Sequence, residues 1–212
     1  MTRPPCPAAD PAARIPAVDA LRGVAVALMV QQHLGVWLWS ESMMPVWPHF
    51  LKHPFMVALN MLGLLAAPLF VTLAGFGAEM AREKYSPPGA MLARRGVLIA
   101  LAGYLLNLAT PHWFTPASWY VLHLIGFCLV VSPLLFRLPA AGLALAYPLV
   151  IVLAPAAQTL LATPLILFDP RMGSATLPGG IARLAFVEGH FPVLPWLAMF
   201  VSGMLSARFR KR

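Results

Sequence analysis

Charged side chains are scarce in this sequence. Only 10% of the 212 residues are Asp, Glu, Lys or Arg, whereas 60% are hydrophobic; an ordinary soluble domain has roughly 25% charged residues. This scarcity excludes a soluble domain with a normal water-facing surface. Because each bilayer crossing takes about 20 mostly apolar helical residues, the composition predicts an all-α fold, a polytopic membrane helix bundle of about six transmembrane helices.

Cysteine and the common catalytic motifs are also rare or missing. The two cysteines, Cys6 and Cys128, have neither metal-ligand spacing nor an obvious disulfide geometry. The sequence contains no HExxH, no Gly-rich phosphate loop and no nucleophile elbow. It therefore predicts no metal site. The segment before residue 16 lacks the pattern of a cleavable signal peptide, so we expect the first span to act as its own insertion signal.

Apolar runs divide the chain into a tail, a membrane domain and a basic end. Residues 1–16 are Pro-rich and predict a disordered tail. Residues 17–207 form the predicted transmembrane helical domain, and residues 208–212 a basic cytoplasmic tail. The predicted spans cover 17–39, 55–80, 91–109, 118–136, 139–162 and 192–207. A polar stretch, 163–191, is predicted as a loop.

The distribution of Lys and Arg predicts the orientation. With the N-terminus inside, the inner segments hold twelve of the fifteen Lys and Arg residues, and only Lys52, Arg171 and Arg183 lie outside. Cytoplasmic loops retain positive charge, so both termini are predicted in the cytoplasm, as in a bacterial-type inner (plasma) membrane. The net charge of +8 is thus explained by topology, and we expect no nucleic-acid partner.

All six histidines fall on the predicted outer side of the membrane. They are His33, His49, His53, His112, His123 and His190. Imidazoles titrate near neutral pH and serve as general bases or nucleophiles, so this side is where the sequence places candidate chemistry.

The first predicted span carries polar residues along one face. Arg22 and His33 are eleven residues apart, which is about 20° of rotation and roughly 16 Å along a helix, and Asp19 lies on the same stripe. Charged residues within a span usually face the protein interior and mark function. The alternative is that Asp19 and Arg22 form an interfacial ion pair that orients the helix, while His33 anchors in the headgroups.

Two asparagines and a glutamate also lie within predicted spans. Asn60 and Asn107 need hydrogen-bond partners inside the bilayer; both are candidate site residues, although a carbonyl on a neighbouring helix would satisfy them. Glu79, at the inner end of the second span, is interpreted as an interfacial side chain that extends to the headgroups.

Four motifs, in order, resemble one family of membrane proteins. They are residues 14–23 followed by an apolar run to His33, the Ala-Pro segment 67–75, the Val-Leu-His-Leu-Ile-Gly segment 121–126, and the Phe-Pro-Val-Leu-Pro-Trp segment 191–196 followed by Gly203. Together they are similar to the heparan-alpha-glucosaminide N-acetyltransferase-like proteins, within the wider transmembrane acyltransferase group. The matches cover most of residues 14–205.

The resemblance implies transfer of an acyl group, typically acetyl from coenzyme A, to an amino or hydroxyl group of a sugar. It implies a catalytic imidazole in the Lys52-His53 pair just before the second span, with His33 as a second catalytic candidate. Arg22, with Asp19, would bind the phosphates of acetyl-CoA by charge-assisted hydrogen bonds. His123 and His190 are further candidates on the same side.

Two other functional classes remain open from the residues themselves. A non-catalytic integral subunit of a larger membrane complex fits the short chain and its sparse interior polarity. A small-solute or proton-linked transporter would use the outer histidines as protonation sites, but the spans lack acidic residues near their centres. Besides membrane lipid, the partners compatible with the sequence are a homo-oligomer or another membrane protein.

Overall fold

The computed structural model describes residues 15–38, 54–112, 114–163 and 180–210, and this part of the chain contains helices and no strand. The helices are α1 (Pro16–Leu38), α2 (Pro54–Gly63), α3 (Ala66–Lys84), α4 (Pro88–Ala109), α5 (Val121–Leu135), α6 (Ala140–Leu160), α7 (Gly180–Arg183) and α8 (Val193–Phe209). A π-helical turn, Leu184–Glu188, continues α7. The all-α prediction is confirmed for these residues.

A helix lies at every predicted span. The second span is interrupted by a turn at Leu64 and Leu65, between α2 and α3. Among the described residues, three segments are long and apolar enough to cross a membrane: Val57–Lys84, Pro88–Ala109 and Ala140–Leu160. A fourth is added if Gly180–Glu188 and Val193–Phe209, which are bent by 52°, form one broken span. The count of six spans therefore stays a prediction.

The prediction of a loop over residues 163–191 is wrong for residues 180–188, which are helical. Residues 180–188 form α7 and the π-helical turn. The reason is burial: Leu184, Ala185 and Val187 are buried among the apolar side chains of the core, although polar residues on both sides of them make the segment look like a loop. Apolar burial outweighs the polar flanks here.

The chain divides into two compact units, residues 1–69 and 70–212. In the first unit α1 packs against α2, and Gly63 lies so close to the Gln32 side chain that a methyl group there would overlap its amide. In the second unit α4 packs on α5, and α6 packs on α8.

The core of the second unit is apolar, and so is much of its outer surface. Five of its fully buried side chains are Val71, Leu124, Leu143, Phe200 and Met204. On the outside, Leu105 and Leu145 are each 68% exposed and Val152 is 65% exposed. Large apolar side chains that face outward along long helices are typical of a membrane protein, in which lipid is the solvent.

Helices α3 and α8 cross with their backbones touching. A methyl group at Gly75 would overlap the carbonyl of Phe200, and one at Gly203 would overlap the carbonyl of Thr72. Small residues let membrane helices approach this closely, and the dispersion attraction between the two helices then holds them together. The crossing therefore requires glycine at both positions.

Gly203→Ala should destabilise the protein, because the added methyl group must push α3 and α8 apart. Overpacking of this kind costs about 1–3 kcal/mol, so the thermal midpoint in detergent should fall by roughly 2–10 °C. Gly23→Ala is the matched control, since nothing lies within 4 Å of a methyl group at Gly23. Equal midpoints for the two variants, measured by scanning fluorimetry, would contradict the crossing.

Candidate functional site

The two ends of α5 lie near residues that the sequence predicts on opposite sides of the membrane. Trp119 and Tyr120, just before the helix, contact residues 190–191, all of which the sequence places outside. The opposite end of α5 faces a cavity whose lining includes Arg82, Arg137 and Arg208, which the sequence places inside. Residues far apart in the chain are thus brought together at each end of this helix.

His123 lies in the first turn of α5 and is 1% exposed. Its ring contacts Tyr104 edge-on, with the centroids 4.3 Å apart, and stacks on Trp119 at 5.5 Å. Gly103 of α4 makes the room, because a methyl group there would come within 2.9 Å of the imidazole. The ring is therefore held in one orientation by two aromatic neighbours and a glycine.

The hydrogen bonding of His123 indicates its tautomer. The backbone N–H of Tyr120 donates to Nδ1 at 3.1 Å, so in the neutral ring the proton lies on Nε2. Nε2 is buried and has no hydrogen-bond partner among the residues that the structure describes. In this state the imidazole can donate a hydrogen bond through Nε2 but cannot act there as a general base.

His190 joins the same end of the second unit. Its exposed ring stacks on Tyr120 with centroids 5.0 Å apart. The indole N–H of Trp119 donates to the carbonyl of Phe191 at 3.1 Å and ties the neighbouring backbone to α5. The adjacent residues Trp119 and Tyr120 thus contact both candidate histidines, one buried and one exposed.

Asn107 has a structural partner. Its side-chain amide is buried and donates to the carbonyl of Ser118 at 2.8 Å. The hydroxyl of Ser118 in turn accepts from the backbone N–H of Thr115 at 2.9 Å. Asn107 therefore holds the connection between α4 and α5 through a backbone carbonyl in that connection. Asn60 lies half-buried in α2, in the first unit.

The polar face of α1 contains the predicted pair. Nη1 of Arg22 donates to the Asp19 carboxylate at 2.9 Å, and each side chain is 52% exposed, so this exposed pair adds little stability. Nδ1 of His33 donates to the carbonyl of Met29 at 2.8 Å, which leaves the lone pair of the neutral ring on Nε2. Lys52 and His53 lie outside the described residues, so their predicted roles stay predictions.

Glu79 is buried, and its interpretation as a side chain extending to the headgroups is wrong. It is 3% exposed, accepts from Nη1 of Arg82 at 2.9 Å and from Nε of Arg208 at 2.9 Å. Burying a charge is costly unless it is paired, and two guanidinium groups pair with this one. The i, i+3 spacing of Glu79 and Arg82 could have predicted their ion pair from the sequence. Nothing in the sequence linked Arg208, in the basic cluster near the C-terminus, to Glu79.

A second buried carboxylate was missed by the sequence interpretation. Glu188, in the π-helical turn, forms an ion pair with Arg183 and accepts from the hydroxyl of Thr163 at 2.6 Å. The two charges are five residues apart, which places them on one face of a π-helix but not of an α-helix. A pattern search at ordinary helical spacing could not find this pair.

Metal binding receives no support from the described residues. Within ranges 15–38, 54–112, 114–163 and 180–210, no three His, Cys, Asp or Glu side chains lie close enough to hold an ion. The side chains that meet at the N-terminal end of α5 carry imidazole, indole and phenol groups.

A family model matches the chain. No curated protein and no solved structure matched the chain. The family model described as "Heparan-alpha-glucosaminide N-acetyltransferase, catalytic" matches residues 14–212, which is nearly the whole sequence and includes all four motifs. The chain therefore belongs to the heparan-alpha-glucosaminide N-acetyltransferase catalytic family.

Proposed function

We propose that this protein is a membrane-bound acyltransferase that moves an acetyl or other acyl group from coenzyme A to a sugar or small acceptor at the outer face of the membrane. The observation that carries this proposal is the match of the family's catalytic region to residues 14–212. The family and the apolar helices already indicate a transferase-like membrane protein. The donor, the acceptor and the side of the reaction are the proposed part.

The proposed topology has six spans, with both termini in the cytoplasm of a bacterial-type inner membrane. The grouping of Arg82, Arg137 and Arg208 at one end of α5 supports it, because positive charge is retained on the cytoplasmic side. The grouping of His123 and His190 around residues 119–120 supports an outer reaction site. Acetyl-CoA would enter from the arginine-bearing side.

The reaction requires a group that accepts a proton. The acceptor's amine or hydroxyl attacks the thioester carbonyl, the carbon–sulfur bond breaks, and coenzyme A leaves as the thiol. An imidazole takes the proton from the attacking group and returns it to the leaving sulfur, or carries the acyl group itself between the two half-reactions. Both routes need a ring nitrogen whose lone pair is not already bonded to a backbone donor.

His53 and His33 are the proposed catalytic imidazoles. His53 is assigned from the family resemblance of the Lys52-His53 pair. His33 has the suitable tautomer, because donation from Nδ1 to the carbonyl of Met29 leaves the basic nitrogen at Nε2 and orients the ring. Arg22, oriented by Asp19, is proposed to bind the phosphates of acetyl-CoA.

His123 is proposed to have a different role, as a hydrogen-bond donor to the acyl carbonyl or to an acceptor hydroxyl. Its Nε2–H is buried and unpaired within the described residues, and Nδ1 already accepts from Tyr120. A buried donor without a partner costs free energy, and a substrate oxygen that accepted this hydrogen bond would offset that cost.

Replacing the proposed catalytic imidazoles should abolish turnover. Purified protein in detergent or nanodiscs should release coenzyme A from acetyl-CoA. His53→Ala or His33→Ala should lower the rate of this release at least about 100-fold, which is the rate enhancement that a general base usually contributes. His112→Ala is the matched control, because His112 is an exposed histidine on the same predicted side.

A protein that neither binds coenzyme A nor consumes the thioester would contradict the acyltransferase proposal. If that protein copurifies with a stoichiometric membrane partner, the non-catalytic subunit is the correct interpretation. Equal rates in His53→Ala, His33→Ala and His112→Ala would remove the catalytic role from the first two residues.

His123→Phe keeps an aromatic ring against Gly103 but removes both nitrogens. If Nε2–H donates to the reacting carbonyl, kcat should fall about 100-fold, whereas His123→Gln, which keeps an amide donor, should retain most of it. If it donates to the acceptor only in the ground state, KM should rise instead. Unchanged kcat and KM in a well-folded His123→Phe variant would show that the imidazole only fills space.

A further inference from the structure

A cavity of about 540 Å³ lies at the C-terminal end of α5. It is formed where α3 ends, where α5 connects to α6, and where α8 ends. Its lining residues are Glu79, Arg82, Glu83, Phe136, Arg137, Leu138, Pro139 and Arg208. All of them belong to the second unit, and none takes part in the acyl-transfer chemistry proposed above.

Glu79 orients two of the arginines in this cavity. Its buried carboxylate accepts from Arg208 through Nε at 2.9 Å and Nη2 at 3.3 Å, and from Nη1 of Arg82 at 2.9 Å. Nη1 of Arg208 also donates to the carbonyl of Leu138 at 2.6 Å. Arg208 is thereby fixed in place and links α3, α8 and the connection between α5 and α6.

The remaining donors are available to a ligand. The guanidinium of Arg82 lies over the ring of Phe136, 5.4 Å from its centroid, and it uses only Nη1 in its bond to Glu79. Arg137 is exposed, and its side chain has no hydrogen-bond or ion-pair partner in the described part of the chain. Three arginines against two glutamates leave the lining with one net positive charge.

We propose that this cavity binds the phosphate group of a ligand. Guanidinium groups form paired, charge-assisted hydrogen bonds that match the geometry of phosphate oxygens, and a cavity of this volume has room for a phosphate together with the group attached to it. Basic pockets at the cytoplasmic ends of membrane helices bind anionic lipid headgroups by this chemistry. The phosphate comes either from such a lipid or from a soluble compound. The soluble case, coenzyme A, rests on the proposed function and would assign its phosphate to this cavity in place of Arg22.

The test uses the full chain and two single substitutions. Arg137→Gln removes a cavity guanidinium that holds no described structural contact, so folding should be unaffected. Arg94→Gln is the matched control, because Arg94 is exposed on the same predicted side but does not line the cavity. Arg82→Gln is a second cavity variant in which Arg208 still pairs with Glu79.

Two probes distinguish the sources of phosphate. Retention of phosphatidylglycerol over phosphatidylcholine is measured by native mass spectrometry, and binding of coenzyme A, compared with pantetheine, which lacks phosphate, is measured by calorimetry in phosphatidylcholine nanodiscs. Arg137→Gln and Arg82→Gln should weaken one of the two phosphate-bearing probes about tenfold, the effect of losing one charge-assisted hydrogen bond. Arg94→Gln should leave both unchanged.

Each result decides the proposal. Loss confined to phosphatidylglycerol identifies a lipid site, and loss confined to coenzyme A identifies a donor site. Equal weakening by Arg94→Gln, or no phosphate-dependent binding of either probe, overturns it. If Arg137→Gln turns over acetyl-CoA with normal KM and retains lipid as the unchanged protein does, the phosphate site is overturned and the acyltransferase proposal stands. If the protein binds a phosphate-bearing probe at this cavity but does not turn over acetyl-CoA, the phosphate site stands and the acyltransferase proposal is overturned.

Discussion

The close approach of the α3 and α8 backbones is the constraint on which the second unit depends. Gly75 and Gly203 let the helices touch, and this crossing sets their register. Glu79 follows Gly75 by one helical turn, and Arg208 follows Gly203 by five residues, so the crossing brings a carboxylate and a guanidinium together. The buried ion pair and the cavity around it therefore depend on glycine at positions 75 and 203.

The second unit separates two kinds of chemistry along α5. Imidazole and indole groups surround its first turn, arginines surround the region beyond its last turn, and between them Leu124, Cys128 and Leu129 are buried in an apolar core. Water-filled routes are unfavourable through such a core. The proposed reaction receives its donor on one side of the membrane and its acceptor on the other, and the second unit has a group of polar side chains at each end of α5.

Much of the candidate site could be predicted because topology sorts charges along the chain. Counting Lys and Arg predicted Arg82, Arg137 and Arg208 on one side of the membrane and the histidines on the other, and within the second unit the structure brings the three arginines together at one end of α5 and His123 and His190 at the other. The sequence also named His123 as a candidate. It could not show that Nδ1 of this ring accepts from Tyr120, because a tautomer depends on atoms placed by packing.

The sequence by itself determined the helical class, the positions of the apolar segments and the family, because these follow from composition, local periodicity and ordered motifs. Tertiary structure alone decided that Glu79 is buried and paired with Arg208, and that residues 184–188 form a π-helical turn that pairs Glu188 with Arg183. The physical reason is that the cost of burying a charge is offset by partners, and packing, not local sequence, selects them.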